Sequence, residues 1–353
     1  MTTELPADST ALAAEITDPK HEINYLYMIL LIPVIVVTFT ANFVVVLCIY
    51  CYRPLQRPNN YYVASLAVAD GVVGFLVMSG MLLVNIYGDW PLSDALCTAW
   101  IGLDFSCCTI SMLHLCLIAQ DRHCALTKPH EYRSRDRSKR ITVMIALAWV
   151  LGLVAWIPAV IFFRANTSPG ADNCLFLPDK LYVICQSCVI YGVPVVVMLY
   201  LYTQCVKGLR AHFMKIASIR EEHMLATRSR TQVMVVASFS TIETSTAPQT
   251  GEPSTGRSRD VLGNKNRGQS REHERSVRTL GMVIGVFIFC WLPFCVMWPV
   301  QSFCDNCAPI GMLKYSYWAA YLNSTVNPLL YFASNRDFRL AFKSLVGMTT
   351  PKV

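Results

Sequence analysis

Charged residues are scarce in this sequence. They make up 15% of the 353 residues, against 54% hydrophobic residues, and this balance excludes a soluble globular protein of this size. The apolar residues gather in seven runs of about 20 residues or more, each long enough to cross about 30 Å of hydrocarbon. The runs occupy residues 25–51, 61–87, 96–119, 141–163, 181–206, 279–303 and 313–332.

The sequence also lacks the residue patterns of common active sites. No nucleophile is paired with a base, and Cys304 and Cys307 have no histidine at the spacing of a zinc site. We therefore expect no enzymatic activity. No charged segment with a cleavage site precedes the first run, so we also expect no removable signal peptide.

The seven runs predict the fold class, because lipid offers backbone N–H and C=O groups no partners and spans must then be helices. We predict an all-α membrane protein, a seven-transmembrane helix bundle over residues 25–345, with a short amphipathic helix after the seventh span.

Residues 1–24 carry five acids against Lys20 alone, which predicts a disordered extracellular N-terminus. The loop after span three is rich in Lys and Arg, which places it in the cytoplasm. The net charge of +7 is thus a cytoplasmic excess, and we expect no nucleic-acid partner.

Composition predicts the structure of two cytoplasmic segments. Residues from about 227 to 270 are rich in Ser, Thr, Gly and Pro and are predicted to be flexible, while the basic ends of this loop can extend spans five and six. After span seven, Phe338, Ala341 and Phe342 share one face opposite basic groups, which predicts a short helix on the inner leaflet. Residues 346–353 form a short cytoplasmic tail, with no cysteine for a palmitoyl anchor.

The extracellular cysteines are candidates for disulfides. Cys97 lies at the outer end of span three and Cys174 in the loop after span four, while Cys304 and Cys307 flank a short turn after span six. Both pairs can bridge in an oxidising compartment. The sequon that begins at Asn166 lies on the same side and is a candidate glycosylation site.

Two carboxylates stand inside the predicted spans. Asp70 lies in span two and Asp104 in span three, where a charge costs about 2.5–3.5 kcal/mol on insertion scales. Asp104 shares a helical face with Cys107, Cys108 and Ser111, so we expect this stripe to face the bundle interior. Intramembrane carboxylates also occur in proton- or cation-coupled transporters. The sequence shows no internal repeat of the kind many transporters have, and a transporter remains the alternative from a different class.

Every span contains a short motif, and together these motifs resemble those of a known protein family. They are Asn42, the Leu66–Asp70 segment, Cys97 with Asp121-Arg122-His123, Trp149, Pro194 with Tyr202, Cys290-Trp291-Leu292-Pro293, and Asn327-Pro328 with Tyr331. With this set the sequence resembles the rhodopsin-like (class A) G-protein-coupled receptors over residues 25 to about 345. Asp104, Trp318 and Tyr321 together make it similar to the aminergic branch, with segments similar to serotonin, other monoamine and muscarinic receptors.

The resemblance implies a multi-pass plasma-membrane receptor for a small protonated biogenic amine. In that family an aspartate at the place of Asp104 pairs with the amine, and aromatic faces surround the cation. The ligand-binding residues implied are Asp104, Phe105, Cys108, Thr109, Trp156, Gln186, Ser187, Trp291, Phe294, Cys295, Trp298, Tyr317, Trp318 and Tyr321. Retinal is excluded as a ligand, because Lys314 lies at the outer end of span seven and not inside it.

The identity of the amine is narrowed only in part. Catecholamine receptors generally present serines on span five, whereas Gln186, Ser187 and Ile190 stand at those places here. Muscarinic receptors have an asparagine where this chain has Cys295. Serotonin, tyramine or octopamine, histamine and a trace amine all stay open, and acetylcholine is the alternative.

The resemblance also implies an ion site and an activation switch. Asp70, Ser111, Asn323 and Asn327 match a buried allosteric sodium site, for which a water-filled polar network is the alternative. The implied switch residues are Asp121, Arg122, Tyr202, Phe287, Trp291, Pro293, Asn327, Pro328 and Tyr331. His123 replaces the usual tyrosine, and His273 stands between Glu272 and Glu274 where amine receptors often hold an acid. These departures weaken the expected inactive lock.

The partners implied are the amine agonist, a heterotrimeric G protein, arrestin, a receptor kinase and membrane lipid. The G protein would engage when span six swings outward and frees Arg122. No cofactor is expected apart from the sodium ion.

Overall fold

The computed structural model describes residues 19–128, 132, 136–166, 174, 176, 178–240, 256–304 and 309–348. Several predicted features lie outside these residues: most of the N-terminal tail, Thr167 and Ser168 of the sequon, Cys307, the middle of the long loop, and the end of the tail. Within the described parts of the chain every regular element is a helix, which confirms the predicted all-α class.

Eight helices make up the described chain. They are α1 (Pro19–Cys51), α2 (Asn60–Tyr87), α3 (Asp94–Thr127), α4 (Arg137–Ala165), α5 (from Lys180 to Ser240), α6 (Gly256–Phe303), α7 (Ile310–Ser334) and α8 (Arg336–Leu345). A short 3₁₀ turn, Arg53–Leu55, follows α1. Helix α2 contains a π-helical segment at Val73–Val77, and α5 contains one at Ser187–Gly192.

The helices α1 to α6 are long and apolar enough to cross a membrane. Helix α7 has 25 residues, which is also sufficient length, but its buried Ser316, Asn323 and Asn327 make it more polar. Large apolar side chains on the outside of the bundle, such as Ile29, Val154 and Phe289, are exposed, as expected of surfaces that meet lipid.

Several helix ends differ from the predicted bounds. Helix α1 begins at Pro19 and so takes in residues 19–24, which composition assigned to the tail. Helices α5 and α6 extend beyond the basic ends of the loop, to Ser240 and from Gly256, so residues 227–240 and 256–270 are helical rather than flexible as predicted. Residues 256–270 hold three arginines and one lysine, which favour a helix, but also three glycines, which do not, so the helix there continues α6 against part of its local propensity.

Local sequence signals explain the helix ends near the candidate site. The side chain of Ser93 caps α3 by accepting from Leu96 N at 3.5 Å, and Asp94 follows in the first turn. Helix α2 ends at Gly88, which has a left-handed φ of 77°. Asn335 caps α8 by accepting from Asp337 N at 2.9 Å.

Helix α8 packs part of its apolar face against the bundle. Phe338 and Ala341 are buried, and the Phe338 ring stacks on Tyr331 with centroids 6.1 Å apart. Phe342, predicted to share their membrane-facing face, is 43% exposed. The apolar face of α8 is therefore divided between α7 and the surface.

Helix α3 is the centre of the bundle. Its most apolar window is 78% buried, against 56% or less for the other five candidate spans. Polar contacts tie the neighbouring helices together: Trp149 Nε1 donates to Ser65 Oγ at 2.9 Å between α4 and α2, and Asn42 Nδ2 donates to Ser324 O at 3.0 Å between α1 and α7. These contacts satisfy polar groups that lipid would leave unpaired.

A glycine permits the close approach of α2 and α3. Trp100 of α3 donates from Nε1 to Val77 O at 3.0 Å, which places its indole directly over Gly80. A Cβ atom at residue 80 would overlap that indole. The absence of a side chain at Gly80 therefore lets Trp100 reach the carbonyl that the π-helical segment presents.

We predict that Gly80→Ala destabilises the protein by about 1–3 kcal/mol, because the indole must move and its hydrogen bond to Val77 is lost. The measurement is thermal unfolding of the detergent-solubilised protein. Gly285→Ala is the matched control, since a Cβ there meets nothing within 4 Å, and should be neutral or slightly stabilising. Equal melting temperatures for the two variants would contradict this packing argument.

Candidate ligand-binding site

A small cavity lies among α3, α5, α6 and α7. Its empty volume is about 210 Å³, below the range of about 300–1,000 Å³ usual for drug-sized ligands. It is lined by Asp104, Phe105, Cys108, Tyr191, Trp291, Phe294, Tyr317, Ala320 and Tyr321. Seven of the residues predicted for the ligand therefore do meet around one cavity.

Asp104 is the only acidic residue in that lining, and it is buried at 3% exposure. The Tyr321 hydroxyl donates to its Oδ2 at 2.9 Å, and the Cys108 thiol donates to its Oδ1 at 3.6 Å. No described basic side chain forms an ion pair with it. A buried carboxylate with two neutral donors and no cation remains poorly compensated.

Aromatic rings form most of the remaining wall. The Phe294 and Tyr317 centroids are 4.8 Å apart, and Trp291 meets Phe294 edge-on at 5.9 Å. Outside them, Trp298 stacks on Phe294 at 5.6 Å and also contacts Phe105 at 5.5 Å. These rings present the electron-rich faces that attract cations.

Phe176 packs against the outer part of the aromatic wall. Cys97 and Cys174 form a disulfide, as predicted, and this bond ties the segment around Phe176 to the start of α3. Two residues on, Phe176 O accepts from Trp298 Nε1 at 3.1 Å, and the Phe176 ring lies 5.5 Å from Phe105. Cys304 is also disulfide-bonded, whereas Cys307 lies outside the described residues.

Some predicted ligand residues lie behind the wall rather than in it. Trp156 Nε1 donates to Thr109 Oγ1 at 2.7 Å, and the Trp156 ring stacks on Phe105 at 4.5 Å. Phe105 therefore stands between these two side chains and the cavity. Cys295, Trp298 and Trp318 are likewise not among the lining residues.

The two predicted polar residues of α5 also lie away from the cavity. Gln186 Nε2 donates to the Tyr182 hydroxyl at 2.7 Å. The Ser187 hydroxyl is buried and has no partner among the described residues. Tyr191, which sequence reasoning missed, lines the cavity instead. No helical spacing indicates it, because the π-helical segment Ser187–Gly192 changes which face of α5 residue 191 occupies.

Asp70 is fully buried between α2, α3 and α7, with 0% exposure. Ser111 Oγ and Ser324 Oγ donate to its Oδ1 at 2.7 and 2.8 Å, and Asn327 Nδ2 donates to Oδ2 at 2.9 Å. Ser324 was missed at the level of sequence. The Oδ1 atoms of Asn323 and Asn327 are buried and have no donor in the part of the chain described.

The inner end of α3 holds a second cluster. Asp121 forms an ion pair with Arg137 at 2.8 Å, and the Tyr132 hydroxyl donates to Asp121 at 3.4 Å. The Arg137 guanidinium also lies 3.6 Å from the centre of the Tyr132 ring. Burial raises the pKa of Tyr132, so its phenol stays a neutral donor. Asp121 is therefore bound to α4 and not to its neighbour Arg122.

The other predicted switch residues lie along the inner half of the bundle. Phe287 and Trp291 are neighbours at 5.9 Å, and the Tyr202 ring packs over Gly281. Tyr331 is buried and its hydroxyl has no partner within the described ranges. Glu274 is exposed, while the side chains of Glu272 and His273 lie outside the description.

Comparison with known proteins gives a consistent result. The profile described as "7 transmembrane receptor (rhodopsin family)" matches residues 41–331. The chain is 31% identical over 335 residues to the probable G-protein coupled receptor No18 of Amphibalanus amphitrite, covering 90% of this chain and 88% of that protein. It is also 31% identical over 334 residues to the human 5-hydroxytryptamine receptor 1B, covering 91% and 86% respectively. The horse 5-hydroxytryptamine receptor 1B is 32% identical over 337 residues, with the same coverage.

Proposed function

Because this chain belongs to the rhodopsin family of seven-transmembrane receptors, we propose that it is a receptor for a small protonated biogenic amine. Family membership makes it a multi-pass plasma-membrane G-protein-coupled receptor and not an enzyme. It also removes the transporter alternative. The proposal therefore concerns the ligand and how the bundle responds to it.

The observation that carries the proposal is the environment of Asp104. Its carboxylate is buried and accepts from one phenol and one thiol, and no described cation is paired with it. An ammonium group would supply the missing charge and a strong charge-assisted hydrogen bond. The pairing gains strength in a site from which water is excluded.

Size and wall chemistry favour a compact aromatic amine. The cavity of about 210 Å³ is bounded by Phe105, Phe294 and Tyr317, whose rings suit both a cation and an aromatic body. Relatives named 5-hydroxytryptamine receptor support serotonin, with tyramine, octopamine, histamine and trace amines in the same chemical class. Acetylcholine is the second candidate, and Cys295 in place of the muscarinic asparagine weighs against it.

Signalling would follow the family scheme. Agonist contact with Trp291, in the turn before Pro293, would let the inner half of α6 swing outward, since a proline leaves the helix a backbone hydrogen bond short. Arg122 would then meet a heterotrimeric G protein. Asp121 is already engaged by Arg137, which leaves Arg122 without its neighbour's carboxylate. The N-terminus would be extracellular, and arrestin, a receptor kinase and lipid would be further partners.

The residues around Asp70 fit a sodium ion. The site offers the Asp70 carboxylate, the hydroxyls of Ser111 and Ser324, and the buried Oδ1 of Asn327, which has no donor among the described residues. Hard oxygen atoms of this kind suit a small cation. Asp70, Ser111, Asn323 and Asn327 would hold the ion, with Ser324 as an additional oxygen, and the ion would supply charge compensation for Asp70 in the inactive bundle.

We predict that Asp104→Asn lowers amine affinity by about 2–5 kcal/mol, which is about 30- to 5,000-fold in Kd, because the ammonium loses its counter-charge. Radioligand binding on intact cells measures the change, with surface expression checked by antibody. Asp94→Asn is the control: it removes the same charge from the same helix at an exposed position near Arg164. A surface-expressed Asp104→Asn receptor with unchanged affinity would refute the assignment.

We predict that sodium weakens agonist binding relative to choline at equal ionic strength, without weakening antagonist binding to match. A ligand shifts a two-state equilibrium only by its differential affinity for the two states, and choline controls for general screening. Asp70→Asn should abolish the difference between the two salts. Identical agonist affinity in sodium and choline for the unmutated receptor would mean that the Asp70 network holds only water.

A further inference from the structure

Two buried polar atoms at the cavity have no hydrogen-bond partner in the described chain. They are the hydroxyl of Tyr191 and the Nε1 of Trp291. Both residues line the same cavity as Asp104, and their exposures are only 3% and 5%. Buried polar side-chain atoms are nearly always paired, so two unpaired ones at one cavity indicate groups that await a ligand.

The position of the Tyr191 hydroxyl supports this interpretation. The titratable groups around it are Cys108, Cys295, Tyr317 and Asp104, and all but Cys295 line the cavity. Its ring packs 5.1 Å from Trp291 and 5.8 Å from Phe294. The hydroxyl and the indole N–H thus belong to one corner of the cavity, on the α5 and α6 side.

The span-five residues predicted to bind the ligand, Gln186 and Ser187, do not supply a hydrogen-bonding group to the cavity. Gln186 is engaged by Tyr182, and neither Gln186 nor Ser187 lines the cavity. The part of the ligand that points away from Asp104 would therefore meet Tyr191 and Trp291.

We propose that Tyr191 and Trp291 form a polar subsite for an oxygen on the aromatic ring of the amine ligand. The inference rests on the proposed function and specifies the ligand class within it. Indole N–H only donates, whereas a phenol both donates and accepts. A ring hydroxyl matches the pair, because its oxygen accepts from Trp291 while its hydrogen is donated to Tyr191.

The test uses two pairs of amines that differ by one ring hydroxyl, tyramine with phenethylamine and serotonin with tryptamine. In the unmutated receptor the hydroxylated member of at least one pair should bind about 2- to 12-fold more tightly, the range for a neutral hydrogen bond. In Tyr191→Phe that preference should fall to near parity, with little change for the deoxy amine. Phenylalanine keeps the ring and removes only an unpaired buried hydroxyl, so the variant should fold.

Tyr182→Phe is the matched control, since it also removes a tyrosine hydroxyl from α5. That hydroxyl is already bound by Gln186, and Tyr182 does not line the cavity. It should leave the hydroxyl preference unchanged. If the amines bind but Tyr191→Phe keeps the full preference, or weakens both members of a pair equally, the subsite is refuted while the amine-receptor proposal stands. If none of the four amines binds, the subsite is refuted, and binding of octopamine, histamine and acetylcholine then decides whether the amine-receptor proposal also fails.

Discussion

A carboxylate buried without a counter-charge is the constraint on which the rest of the site depends. Removing Asp104 from water is tolerable only if the surrounding helices supply donors and if a cation completes the pairing. Helix α3 therefore sits at the centre of the bundle, where α7 can bring the Tyr321 hydroxyl to Asp104. The disulfide of Cys97 and the contact of Trp298 with Phe176 O close the same space from outside.

The two intramembrane carboxylates have different surroundings, and these favour different roles. Asp70 accepts from three side chains of α3 and α7, and this network ties the helices together. Asp104 has two weaker partners and faces a cavity. We infer that Asp70 responds to the arrangement of the helices, whereas Asp104 responds to a ligand. Trp291 contacts both Phe294, which lines the cavity, and Phe287, one helical turn further toward the inner half of α6.

Much of the fold follows from the sequence because the bilayer leaves few alternatives. Apolar runs had to be helices, and costly charges had to face inward, so the spans, Asp70 and Asp104 could be located. The missed residues have physical reasons. Ser324 and Tyr191 are common residue types whose role depends on the rotation of α7 and α5. The seating of Thr109 and Trp156 behind Phe105 depends on side-chain packing between α3 and α4. The ion pair of Asp121 with Arg137 joins residues whose distance no helical spacing fixes.

The most direct test of the central claim is an experimental structure of the receptor bound to the tightest-binding of the four amines. The account predicts the ammonium nitrogen within about 4 Å of the Asp104 carboxylate oxygens, the limit for an ion pair, with the ring packed against the Phe294 and Tyr317 side chains. An amine held with its nitrogen away from Asp104, while the Tyr321 hydroxyl remains the partner of that carboxylate, would contradict it.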